Sequence, residues 1–124
     1  ALDIETKSGR QHFTIELALS SAQQAQGLMF RQKMEADRGM LFIFPQEQPV
    51  SFWMANTYIP LDMVFIAGDG RITSIAERTI PLSTATIDSV GAALAVLELN
   101  GGTADRLGIK PGDRVLYPAF AGKR

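Results

Sequence analysis

The sequence has 124 residues, 46% apolar and 20% charged, enough for one hydrophobic core and too apolar for a disordered chain. A formal net charge of −1 without a dense Lys/Arg run leaves no electrostatic footprint for DNA or RNA, so nucleic acid is not an expected partner. The lack of cysteine excludes disulfides, thiolate nucleophiles and Cys-based metal sites together, and no apolar run approaches the ~20 residues of a membrane-spanning helix.

Taken in chain order, Leu2, Ile4 and Thr6 alternate with charged neighbours, and Phe13, Ile15, Leu17 and Leu19 alternate with His12, Thr14, Glu16 and Ala18. This period of two predicts half-buried strands at 2–7 and 11–19, joined by a turn at Ser8-Gly9-Arg10. Ser20 or Ser21 can cap a helix over 21–26, with Gln23 or Gln24 in the capping-box position and Gly27 as the stop. Met40 to Phe44 is apolar without alternation, which predicts a strand covered on both faces. In the next strand, 50–55, Val50, Phe52 and Met54 face one way while Ser51, Trp53 and Ala55 face the other.

Gly68-Asp69-Gly70 tolerates the positive φ angles of a tight turn and predicts a hairpin between strands 63–67 and 71–78. The Ser- and Thr-rich stretch 81–90 reads as an irregular connection, followed by a strand at 93–99. Thr103 can cap a short helix over 104–107 that ends at Gly108, and Pro111-Gly112 turns the chain into a last strand at 113–117. The tail, 119–124, is expected to fray. Short, closely spaced strands with two short helices predict a single all-β domain over 1–124, a compact antiparallel β barrel or sandwich.

Four segments carry a family resemblance: Gly27-Leu28-Met29-Phe30-Arg31, Gly39-Met40-Leu41-Phe42-Ile43-Phe44, Phe52 to Thr57 with Ile59-Pro60-Leu61-Asp62, and Leu97-Glu98-Leu99 with Gly108 to Asp113. In order and spacing, from about 17 to 115, they resemble the uncharacterised family labelled domain of unknown function 192. The resemblance implies a compact β domain, often behind a secretion signal or lipoprotein leader, with no established activity. It also implies a Lys where this chain has Ala55, so a cation's role at that position is in doubt here. Leu2 to Phe13 resembles the stretch that follows the leader in exported members. The start at Ala1 fits a removed signal peptide, a trimmed boundary or an unstructured leader. The expected location is therefore periplasmic or envelope-associated, with the cytoplasm left open.

Trp53, the sole Trp, stands beside Asn56 and Thr57 ahead of a Pro-containing turn. Such a cluster suits a binding cleft, the ring supplying apolar area and the polar groups fixing orientation. The competing reading makes Trp53 core and gives Asn56 and Thr57 to the turn backbone. Asp62 and Glu98 each emerge from apolar runs, so burial would require a cation or hydrogen-bond donors, or else raise their pKa. Arg31 is the first cation to pair with them. Together the two carboxylates could act as acid and base or ligate Ca²⁺ through oxygen, and they could equally be structural.

His12, the sole His, lies on the polar side of its strand and is read as a surface residue, while Asp113 is assigned to its turn. Gly68-Asp69-Gly70 joins two strands and does not lead into a helix, so it is no phosphate loop, and the five Met residues are read as packing. No metal or cofactor is expected. The preferred reading is a non-catalytic binding domain of the bacterial cell envelope, its cleft lined by Trp53, Asn56 and Thr57 with Arg31, Asp62 and Glu98 near the rim or floor. Its partner would be a peptide, a glycan or a protein. The alternatives are a hydrolase or lyase using Asp62 and Glu98 on a polysaccharide, and a structural interaction module without a pocket.

Overall fold

The computed structural model describes residues 1–120. Its elements run β1 (Leu2–Thr6), β2 (Gly9–Ala18), α1 (Ser21–Gln26), β3 (Arg38–Gln48), β4 (Ser51–Phe52), β5 (Leu61–Ile66), β6 (Ile72–Ala76), β7 (Ile87–Asp88), β8 (Ala93–Asn100), α2 (Thr103–Leu107) and β9 (Arg114–Leu116). Seven strands form one curled sheet, a half-barrel, in the order β6-β5-β8-β3-β2-β1-β9, and β4 pairs with β7 in a separate ribbon. The fold is all-β with two short helices, as the spacing of short strands predicts.

One pair departs from the antiparallel expectation: Thr14 to Ala18 of β2 lie parallel to Arg38 to Phe42 of β3. Parallel neighbours need a crossover of a dozen residues or more, and the chain from α1 to Asp37 supplies it. Ser20 accepts from the Gln23 amide, while the Gln23 side chain accepts from the Leu19 and Ser20 amides, closing the capping box that starts the crossover.

Four further expectations change. Thr103 does not cap α2: it is the helix's first residue, with Gly102 at the N-cap position and no side-chain cap. The strand expected at 50–55 shrinks to Ser51–Phe52 because the Met54 amide donates to Ser83 O instead of to a neighbouring strand. Its partner, β7, lies within the stretch expected to be irregular. The tail is also partly fixed. Pro118–Phe120 makes a 3₁₀ turn and Phe120 is buried in the core, so fraying does not begin at 119; residues 121–124 lie outside the described residues.

The core divides between the two faces of the central strands. Leu41, Val64, Ile66, Leu97 and Leu99 join Leu2, Ile4, Phe13 and Val115 in one cluster. Met40, Phe42, Leu61, Met63, Phe65 and Val96 join Leu28, Val50 and Met54 in the other. Alternation sends successive residues of β3, β5 and β8 to opposite clusters, which is why these strands read as apolar runs without a polar face. Each fully buried large side chain contributes roughly 2 kcal/mol. Gly39 lets β3 and β8 approach, since a Cβ there would stand 2.8 Å from Glu98 O and 2.8 Å from Leu99 Cδ2.

Candidate functional site

Glu98 sits in the middle of β8, opposite Met40 on β3 and Met63 on β5. Directly opposed residues share a sheet face, so its carboxyl stands between two thioether side chains on the side of the second cluster. The residue is 4% exposed. Burial alone pushes its carboxyl from the ordinary 4.5 up to about 8; no ion pair or hydrogen bond among the described residues offsets that cost.

The carboxyl does not end in packed core. Glu98 lines a cavity of about 440 Å³ whose walls include the rings of Phe42, Phe44, Phe52 and Trp53. Phe52 sits edge-to-face on Phe42 at 5.1 Å and on both Phe44 and Phe65 at 6.4 Å, a geometry that fixes the ring wall. Helix α1 and the residues after it, through Met29, close another side. Gln24 Nε2 donates to Ala18 O and Ile43 O, both at 3.0 Å, and so holds the helix on β2 and β3. Gly27 ends the helix at φ +49°, where a Cβ would lie 3.2 Å from Phe42 Cζ.

Trp53 is 53% exposed on this wall, so it is not a core residue. Thr57, buried, also lines the cavity and donates through Oγ1 to Ala55 O. Asn56 is exposed, adopts φ +56° and contributes its carbonyl, which accepts from the Phe30 amide at 2.8 Å. Phe30 and Leu82 both have φ +67°, in the left-handed region that costs a bulky residue of order 1–3 kcal/mol. The Leu82 amide donates to Thr57 O, and Phe30 packs edge-on to Tyr58 at 6.2 Å. Three loops are thus latched together beside Met29, Trp53 and Thr57.

Asp62 and Arg31 lie elsewhere. Asp62 pairs in register with Leu99, not with Glu98, so its side chain projects to the opposite face of the sheet. It is fully buried, and its Oδ1 accepts from the amides of Arg78 (2.9 Å) and Gly102 (3.1 Å), its Oδ2 from that of Ala104 (2.8 Å). It clamps α2 and the end of β6 to β5. Arg31 makes a two-pronged pair with Glu16, which holds that carboxyl below and the guanidinium above its ordinary value. The expected Arg31 pairing with Asp62 or Glu98 does not form, and neither does an acid–base couple across an open cleft. His12 pairs with Asp3 at 2.6 Å on the surface, and Asp113 accepts from the Lys110 amide within its turn.

Of the six residues expected at a cleft, the cavity therefore brings together Trp53, Thr57 and Glu98, with Asn56 in the adjoining turn. The sequence reading missed the ring wall of Phe42, Phe44 and Phe52 and the contribution of Gln24 to Met29. The available signal was the parity of β3 and β8: Met40 and Phe42 had to share Glu98's face once those strands paired. Among the described residues, no three His, Cys, Asp or Glu side chains are grouped to hold a metal ion.

Comparison with known proteins places the chain among others without an assigned activity. The profile of domain of unknown function 192, an uncharacterised ACR, matches residues 3–117. A solved structure from Sinorhizobium meliloti, provisionally named a transcription regulator, is similar at 50% identity and a TM-score of 0.92, over 95% of this chain and 92% of that one. A protein of unknown function from Novosphingobium aromaticivorans is 46% identical with a TM-score of 0.91, over 94% of this chain and 83% of that one. No curated protein matches.

Proposed function

This chain belongs to the uncharacterised family of domain of unknown function 192, and from that premise we propose that it is a non-catalytic binding domain of the cell envelope whose ligand enters the Glu98 cavity. One observation carries the reading: a buried carboxyl without a partner among the described residues opens into a ring-lined cavity of about 440 Å³, a size typical of small-molecule sites. A side chain that only stabilised the fold would be served better by Leu or Met at this position. The exposed Trp53 ring supplies contact area at low entropic cost. The hydrolase alternative loses its support because Asp62 and Glu98 face opposite sides of the sheet and Asp62 is saturated by backbone donors.

The envelope setting rests on the likeness of Leu2 to Phe13 to the stretch after the leader in exported relatives, and cell fractionation of the native protein checks it. A DNA-directed role, suggested by the name of the Sinorhizobium protein, finds no support in a net charge of −1 and a cavity that no Lys or Arg lines among the described residues. The binding reading is tested by native mass spectrometry of protein recovered from its own cells, wild type beside Trp53→Ala. A small-molecule adduct on the wild type that is depleted in the variant is expected. Equal adducts on both, or none on either, would overturn it.

A further inference from the structure

The chemistry of the cavity narrows the ligand class, an inference that rests on the binding reading above. Among the described residues, Glu98 is the one ionisable side chain on the cavity's lining. The charged groups of the surrounding elements are outward or already engaged: Arg38 and Glu47 are exposed toward the ends of β3, Asp62 is on the opposite face of β5, Asp88 of β7 accepts from the Ser51 hydroxyl, and Glu16, on Glu98's sheet face two strands away, is paired with Arg31. Helix α1, Ser-Ala-Gln-Gln-Ala-Gln, carries no charge, and neither does the segment from Ser51 to Thr57. Among the described residues the lining therefore holds no cation to neutralise an anion, and an anionic ligand would bind only while Glu98 keeps its proton.

A cation changes the balance. A buried carboxylate without partners is costly, whereas an ammonium group within hydrogen-bond distance supplies both countercharge and donors. The four aromatic rings of the lining complement the same ligand, since they accept an apolar stem and attract a cation over their faces. We infer that the cavity binds an ammonium group on an apolar stem, with the nitrogen on Glu98 and the stem against Phe42, Phe44, Phe52 and Trp53. The ammonium can belong to a free amine or to a lysyl side chain.

Binding then has a proton stoichiometry. At pH 7 the Glu98 carboxyl of the empty site holds its proton, because burial raises its pKa to about 8. Forming the carboxylate–ammonium pair expels that proton to solvent, so close to one proton leaves per cation bound. Affinity for the cation should rise about tenfold per pH unit up to about pH 8. It should fall again as the ligand's own ammonium, with an ordinary pKa near 10, loses its charge.

The test uses the whole chain and a matched probe set: 2-phenylethylamine, the neutral 2-phenylethanol, the anionic phenylacetate, and Nα-acetyl-lysine methylamide as the side-chain source. Trp53 fluorescence reports occupancy, and calorimetry in buffers of different ionisation enthalpy counts protons. Expected are binding of the amine at least about tenfold tighter than of the alcohol at pH 7.5, no binding of phenylacetate, and release of about three-quarters of a proton at that pH, rising toward one at lower pH. Glu98→Gln should lose the amine preference and the proton release while keeping the alcohol. The lysine derivative binding more tightly than phenylethylamine would assign the ammonium to a protein partner; the reverse order would assign it to a free amine.

Equal binding of amine and alcohol without proton release, or preferred binding of phenylacetate, would overturn the ammonium inference and leave a ligand cavity standing. Failure of all four probes to bind at millimolar concentration would overturn the cavity reading and the inference with it. The proton count on wild-type protein decides the matter even if Glu98→Gln folds poorly.

Discussion

Asp62 and Glu98 are buried carboxylates on neighbouring strands of one sheet, separated by a single step of register, and their surroundings are opposite. Asp62 receives three backbone amides and ties β5 to α2 and to the end of β6. Glu98 receives none of these, faces two methionines and opens into a cavity. Burial therefore does not distinguish a carboxylate that builds the fold from one that serves a site. The supply of donors does, because a fold that invests a buried charge in stability also surrounds it with partners.

The contrast is broken most severely at Asp62. Asp62→Ala leaves three amides, one buried and two part-buried, without their acceptor, and a loss of about 3 kcal/mol is expected in urea unfolding. A loss below about 1 kcal/mol would mean that water replaces the carboxylate and that the clamp is incidental.

Glu98 should act on stability through pH. Its folded pKa, about 8, lies above the ordinary 4.5, so the folded state holds this proton more tightly than the unfolded chain. The resulting stabilisation is complete below pH 4.5 and is lost as pH rises through about 8, by at most about 1.4 kcal/mol per unit. Unfolding of wild type and Glu98→Gln at pH 5 and pH 8.5 isolates this contribution, and the wild type should lose a few kcal/mol more than the variant. Parallel losses would show that the carboxyl is solvated in the folded protein.

Smaller effects sharpen the same division. Trp53 is half exposed, so Trp53→Ala should cost less than about 1 kcal/mol of stability while depleting ligand; a thermal shift as large as that of a core aromatic would return the ring to the fold. The Arg31–Glu16 pair is exposed and screened, so Arg31→Ala should cost about 0.5 kcal/mol at low salt and almost nothing at high salt. A large, salt-independent loss would give Arg31 a structural role beyond that pair.

Much of the fold is legible in the sequence because its signals are local. The alternation in β2, the capping box at Ser20, the Gly-Asp-Gly hairpin and the continuous apolar run of β3 each report their own surroundings. The parallel β2–β3 pair and the short β4–β7 ribbon are not legible, since each depends on where a distant segment lands. The same limit governs the site. Trp53, Thr57 and Glu98 stand out by residue type, whereas the Phe42, Phe44 and Phe52 wall looks like ordinary core until β3 is set beside β8. The placing of Asp62 with Glu98 failed for a related reason: two acids in apolar runs look alike until register assigns them to opposite faces.

The central claim, that Glu98 is a carboxyl without a partner among the described residues on the wall of a ring-lined cavity, is tested most directly by following its side-chain carboxyl carbon by NMR as pH is varied in ligand-free protein. The account predicts a midpoint near 8, displaced downward when 2-phenylethylamine is added. A midpoint at the ordinary 4.5 would mean that water or a protein donor already serves the carboxylate, and the cavity would lose the feature on which its function is argued.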